Sequence, residues 1–327
     1  MTAPRFLVTG AYGCIGAWVV HELVGGGHDV TTFDLSTDPC RLRLLLDEPV
    51  VEAIPHVAGD ITDLAALEAL VDDRAITNVI HLAALQVPFC RADPPLGARV
   101  NVLGTVNVFE AVRRRVDRMA PIVYALSVGA FDAPEEHVAP SMTGHPGTLY
   151  GVFKRANEST ASVYRQENQV SSIGLRPHTV YGPGRDQGLT SAPTSAMLAA
   201  TAGVGYRIPF GGAAQLQYAG DVARAFVAAS VSGYDGCSVH NLPGPSVSIA
   251  EVVDAIAAAA PASAGTIAFD DVLLPFPEEV DSASFAEIVP DFTTTPLAEC
   301  VGATVERFRA LLSKGLVAAP GSDPKAV

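Results

Sequence analysis

Basic residues are scarce in this 327-residue chain: 21 Lys and Arg stand against 35 Asp and Glu, a formal charge of −14. That balance excludes nucleic acid and anionic membrane surface as partners, because both are bound through basic patches. Long apolar runs are missing too. None reaches the ~18–20 residues of a membrane helix, so no span is expected. The opening MTAPRFLVTGAYG has no basic stretch followed by an apolar core, and no secretory signal is expected. Cysteines are few and scattered (Cys14, Cys40, Cys90, Cys237 and Cys300), odd in number and without a CxxC pair. They offer no disulfide framework and no metal-ligand cluster, and reduced thiols in a cytoplasmic protein are expected.

What is present is apolar material, 49% of residues against 17% charged, which suits a compact enzyme better than a disordered chain. Short apolar runs alternate with helical patterns. RFLVTG reads as a strand and residues 13–26 as a helix; DVTTFD is a second strand, and VVEAIPHVAGD carries a third. A helix over 63–73 leads to a fourth strand, TNVIHLAA, and a long helix over 98–118 leads to a fifth, PIVYALS. A helix containing Tyr150 runs to 168, and VSSIGLRP is a sixth strand. Such alternation predicts an α/β fold, a Rossmann-type doubly wound parallel sheet covered on both faces. After Pro177, Gly and Pro cluster in YGPGRDQG, FGGAAQ and NLPGPS. A boundary is therefore expected near 176, with residues 177–327 forming mainly a smaller substrate-binding lobe, some segments of which return to the sheet. The tail AAPGSDPKAV is expected to fray.

VTGAYGCIG closes the first strand and opens the first helix, placing Gly10, Gly13 and Gly16 in a GxxGxxG variant of the dinucleotide fingerprint. Gly10 permits the turn, Gly13 admits a pyrophosphate close to the backbone, and Gly16 lets helix pack on strand, while the helix N-terminus attracts the anion. Asp34 ends the second strand, where a carboxylate binds adenosine ribose hydroxyls and repels a 2′-phosphate. NAD is favoured over NADP, and residues 1–176 are expected to form its domain. Arg41 and Arg43, further on, read as solvated surface. Asp60 and Ile61 of GDITD suit the rim of an adenine pocket, with a helix N-cap shared with Thr62 as the alternative for Asp60. Leu82, Ala83 and Ala84 are small enough for backbone to approach the cofactor, and His81 reads as structural.

Tyr150 and Lys154 lie four residues apart, on one helical face. A phenol is a poor base at neutral pH, and an ammonium a turn away would help it ionise. Ser127, ending the fifth strand, could hydrogen-bond a reacting oxygen. TGAYGCIG, Asp34, GDITD, HLAA, Asn101, LSVGAF, YGVFK and RPHTVYGPGR follow one another as in extended short-chain dehydrogenases/reductases, and over residues 5–250 the chain resembles the NAD-dependent epimerase/dehydratase family. The resemblance implies Tyr150 as acid/base, Lys154 as its electrostatic partner and ribose anchor, and Ser127 as the orienting hydroxyl. It also implies cofactor contacts from Tyr12, Cys14, Ile15, Asn101, Tyr150, Lys154 and Pro177, and a homodimer built on the two long helices. For Asn101, support of the site through water and plain helix packing stay open.

Val128 and Gly129 follow Ser127 where dehydratases and decarboxylases of the family carry a carboxylate, which leaves plain hydride chemistry. Ala214 stands where nucleotide-sugar members usually place a diphosphate-gripping arginine, Glu278 and Glu279 lie near the expected position of a second, and Thr179 replaces a frequent asparagine. Arg185 or Arg207 could compensate. A sugar-like substrate of low charge follows, with Gln86, Ser127, Tyr150, His178 and Gln217 as contacts; structural roles remain open for His178 and Gln217. The reading preferred is an NAD-dependent dehydrogenase or epimerase of a sugar-like secondary alcohol. A UDP-sugar 4-epimerase and a non-catalytic NAD-binding sensor are the alternatives, and the intact Ser127, Tyr150 and Lys154 set argues against the sensor.

Overall fold

Phe6 and Val8 of the first strand enter one hydrophobic cluster and Leu7 another, the period-two pattern of a sheet buried on both faces. The computed structural model describes residues 3–131, 146–274 and 277–320. In chain order its strands and helices are β1 Arg5–Thr9, α1 Cys14–Gly25, β2 Asp29–Asp34, α2 Cys40–Arg43, α3 Glu48–Ala53, β3 His56–Ala58, α4 Leu64–Asp73, β4 Asn78–His81, α5 Val87–Ala92, α6 Pro94–Ala98, α7 Gly104–Arg113 and β5 Ile122–Ala125. They continue with α8 Leu149–Asn168, β6 Ser172–Arg176, β7 Thr179–Tyr181, α9 Ala192–Ala202, β8 Tyr206–Ile208, β9 Ala213–Tyr218, α10 Ala219–Ser230, β10 Cys237–Asn241, β11 Ser246–Ser248, α11 Ile249–Ala259, β12 Ile267–Phe269 and α12 Leu297–Ser313. Residues 321–327 of the tail expected to fray lie outside the described residues.

Seven parallel strands form the central sheet in the order β10-β6-β5-β4-β1-β2-β3. The doubly wound architecture expected from the alternation is therefore present. Helices α1 and α10 cover one face through apolar stripes and α4, α7 and α8 the other, α8 with Ala161 and Tyr164 against the core. The chain reverses direction of winding between β1 and β4, which opens a crevice at their carboxyl ends. Edge strand β10 comes from residues 237–241, well after the other sheet strands in sequence. A second core joins α9, α11 and α12 with β8 and β12, beside a three-stranded sheet ordered β11-β9-β7.

The single helix expected over 98–118 is divided. Residues Arg99–Leu103 wind as a π-helix, α7 follows directly, and a separate 3-10 turn spans Val116–Arg118. The wider turn brings the buried Asn101 amide against the loop after β4, where it bonds backbone rather than continuing a regular helix face.

Candidate active site

The turn after β1 is built around Gly10, at φ +66°, a conformation few other residues adopt. A Cβ there would lie 2.5 Å from the Ala83 nitrogen, so this turn and the loop after β4 touch at the crevice. Gly16 packs equally closely: its Cβ would sit 2.1 Å from the Gly10 carbonyl. The Tyr12 amide donates to Asp34 Oδ2 at 2.9 Å, and the Ser36 amide donates to Oδ1 at 3.0 Å, which fixes the carboxylate beside the glycine turn.

A cavity of about 370 Å³ opens here, walled by Gly10, Tyr12, Gly13, Cys14, Asp34, Asp60, Ile61, Leu82, Ala83, Ala84 and Gln86 among others. Gly-lined backbone, a helix N-terminus and the Asp34 carboxylate on one wall together fit a dinucleotide. Ile15 and Gly16 are not on this wall; Ile15 packs into the core behind it. The N-cap alternative for Asp60 is corrected: Asp63 caps α4 through the Ala66 amide, and Asp60 instead accepts from the Thr62 amide at 2.8 Å.

Thr148 caps α8 by accepting from the Gly151 amide. The buried stripe of that helix runs Gly151, Lys154, Asn157 and Ala161, so a lysine occupies a core position. Its Nζ donates to the Ala125 carbonyl at the end of β5, 2.8 Å away, and lies 5.5 Å from the Tyr150 ring centroid. Burial lowers the Lys154 pKa to about 8. Tyr150 is raised by burial, while a hydrogen bond with Ser127 and the charge of Arg185 act in the opposite direction. Ser127 and Tyr150 flank Gly129, whose Cβ would stand 3.3 Å from the Ser127 Oγ and 3.9 Å from the Tyr150 ring. Pro177 is buried and absent from the cavity wall; its carbonyl accepts from the Val128 amide at 3.2 Å and so steadies this corner.

Behind the pair runs a polar chain that sequence reasoning left unconnected. His81 is buried, with Nδ1 2.7 Å from the Thr9 hydroxyl and Nε2 3.1 Å from that of Thr105, and burial first, then the Lys154 charge, push its pKa down to about 3. Asn157 donates to the Asn101 carbonyl and to Thr105. Asn101 in turn is saturated by the Leu85 backbone, accepting from its amide at 2.7 Å and donating to its carbonyl at 2.9 Å. It shapes the loop that carries Leu82–Gln86 and, like Ser127, Tyr150 and Lys154, lies off the wall of this cavity.

Two substrate contacts expected from the sequence have other work. The Gln217 amide is buried, with Oε1 accepting from the His178 amide and Nε2 donating to the Leu242 carbonyl. His178 reaches the Pro277 carbonyl through Nε2 at 2.8 Å, and burial lowers its pKa to about 4. Both brace β7 against neighbouring loops. The surface reading of Arg41 is also overturned: its side chain is 20% exposed, lines the cavity, and bonds Tyr12, Gly184 and Asp186. Arg43 does stay at the surface, paired with Glu48 and Asp38. Arg185 joins the cavity wall, whereas Arg207 is exposed and paired with Asp270. Spacing gave no signal that Arg41 reaches the cavity, because its partner Asp186 lies 145 residues further along the chain.

Residues 6–237 match the NAD dependent epimerase/dehydratase family. The chain belongs to that family. NAD is its cofactor. The UDP-glucose 4-epimerase of Mycolicibacterium smegmatis is 34% identical over 187 residues, 56% of this chain and 58% of that protein, so the match spans less than two thirds of the relative. The structure of the UDP-glucose 4-epimerase of Thermus thermophilus in complex with NAD is 26% identical with a TM-score of 0.76, covering 93% of this chain and 99% of that one. L-threonine dehydrogenase of Clostridium difficile, at 21% identity, a TM-score of 0.81 and coverage of 97% and 100%, shares the fold. No helix among the described residues is long and apolar enough to cross a membrane.

Proposed function

We propose that this family member moves a hydride between NAD and a secondary alcohol or ketone of a sugar-like substrate, with net dehydrogenation preferred. The observation that carries this reading is Lys154, a lysine at a core position whose ammonium lies beneath the Tyr150 ring, with Ser127 and Tyr150 both flanking Gly129. Asp34 holds the adenosine ribose hydroxyls in this reading. The nicotinamide, when bound, supplies the hydride acceptor. The chain does the rest. The Ser127 hydroxyl donates to the reacting oxygen, and Tyr150 Oη takes the carbinol proton during oxidation or returns it during reduction. The Lys154 charge favours the phenolate through the intervening few ångströms. Val128 and Gly129 follow Ser127, so no carboxylate stands there to drive elimination.

Substrate charge is set by which cations are free to act. Ala214, at the position expected of a diphosphate-gripping arginine, is buried in β9 opposite Val247, and Glu278 and Glu279 are carboxylates. Of the two arginines on the cavity wall, Arg41 is engaged on every side. Arg185 binds Thr190 through Nη2 and keeps a buried Nε without a partner among the described residues. One such group suits a substrate with at most a single negative charge, a sugar acid for instance, better than a nucleotide diphosphate.

The second reading, a UDP-sugar 4-epimerase, is favoured by the names of its relatives. Thermal melts of the NAD-bound protein separate the two. Two missing charge-assisted contacts, each worth about 1.5–3 kcal/mol, weaken a diphosphate on the order of a hundredfold or more. UDP and UDP-glucose at millimolar concentration are therefore expected to leave the melting temperature unchanged, while a singly charged sugar acid raises it. Saturable micromolar UDP binding puts the epimerase reading first.

A further inference from the structure

Residues 183–186, a turn outside any helix or strand, are fastened to the other wall of the dinucleotide cavity from two directions. Trp18 Nε1 donates to the Pro183 carbonyl at 2.9 Å. Arg41 does more. Its Nε donates to the Gly184 carbonyl and to Asp186 Oδ2, both at 3.2 Å; Nη2 donates to Asp186 Oδ1 at 2.8 Å; Nη1 donates to the Tyr12 carbonyl at 3.1 Å. Gly184 adopts φ +88°, a turn conformation that favours glycine, and packs in ordinary contact with the Arg41 stem. One guanidinium thus ties the glycine-rich turn to a segment some 140 residues later, and its fork on the carboxylate is bidentate, the geometry that holds best.

The partners sit unequally in water. The Arg41 side chain is 20% exposed and that of Asp186 55%. Asp186 is therefore the half that can swing out, while Arg41 stays anchored on Tyr12. Both line the cavity. Their ion pair therefore joins two segments of the cavity wall.

We propose that Arg41 and Asp186 form a clasp across the NAD cavity that sets how fast the dinucleotide enters and leaves, an inference that rests on reading this cavity as the NAD site. The clasp has a chemical consequence. A dehydrogenase must release its reduced cofactor each turn, whereas an epimerase must keep it until the hydride returns. The lifetime of the closed clasp then biases the chain between the two outcomes.

Stopped-flow fluorescence of NADH binding to, and displacement from, the full chain tests the clasp, with Asp186→Asn as the main variant. The expected result is a rise of about fivefold in both the association and dissociation rate constants, the upper end of what a partly exposed ion pair holds. Asp186→Glu should restore slow exchange, and Arg41→Lys, which keeps the charge but loses the fork, should speed it. Salt should accelerate release from the wild type and have little effect on Asp186→Asn. Unchanged rate constants in both Asp186→Asn and Arg41→Lys, with NADH still bound by the wild type, overturn the clasp alone. A change in dissociation only marks an ordinary ligand contact and overturns it as well. A wild-type chain that binds no NADH removes the cavity assignment and the clasp together.

Discussion

Tyr150→Phe is expected to lower turnover on the true substrate on the order of 10²–10⁴-fold, the range of a lost general acid/base, while NAD affinity changes little. The ring can still pack beside Gly129 and over Lys154, so the variant should fold normally. What disappears is Tyr150 Oη, the oxygen assigned the carbinol proton; Ser127, a still weaker acid than a phenol, is assigned only the hydrogen bond to the reacting oxygen. Turnover measured alongside NAD titration checks both halves. Near-normal rates in Tyr150→Phe would mean that the proton goes elsewhere.

Lys154→Met should act on rate and stability in opposite directions. A nearby opposite charge favours the phenolate, so removing the ammonium should move the acid limb of the pH–rate profile upward. Stability follows a different sign. The folded pKa of Lys154, about 8, lies below the ordinary lysine value of 10.5. Between those two values the unfolded chain binds more protons, so stability rises with pH across the window. Below pH 8 both states are protonated and the cost of burying the charge is felt in full. Lys154→Met removes that cost, less the bond to the Ala125 carbonyl, and should melt higher than wild type at about pH 7. The gain should shrink as pH approaches 10.5. Melts in the absence of NAD from about pH 7 up to 10.5 check this, and a Lys154→Met chain whose advantage over wild type is smaller at the low end than at the high end contradicts it.

Local signals carried much of the fold. Strand–helix alternation located β1 to β6, and GxxGxxG between β1 and α1 placed Gly10 where only its positive φ lets the turn meet Ala83. The i, i+4 spacing of Tyr150 and Lys154 is a property of α8 alone and needed no tertiary knowledge. What escaped depends on loops distant in sequence. Arg41 looks like any exposed arginine until the turn at 183–186 folds over it. Gln217 and His178 have the polar character of substrate contacts, yet each is consumed by backbone that arrives from residues 242 and 277. The π-turn at Arg99–Leu103 has the composition of a regular helix, and the wider winding goes with tertiary bonds of Asn101 to Leu85 that spacing does not reveal.

The central claim is that a hydride passes between a substrate carbinol and NAD under the control of Tyr150. It is tested most directly by single-turnover absorbance of the reduced nicotinamide, with stoichiometric NAD and a panel of sugars, sugar acids and UDP-sugars. The account predicts reduced cofactor with an uncharged or singly charged sugar-like compound, stoichiometric and lasting if the chain is a dehydrogenase, transient if it is an epimerase, and absent in Tyr150→Phe. Reduced nicotinamide that forms equally well in Tyr150→Phe, or with no member of the panel, would contradict it.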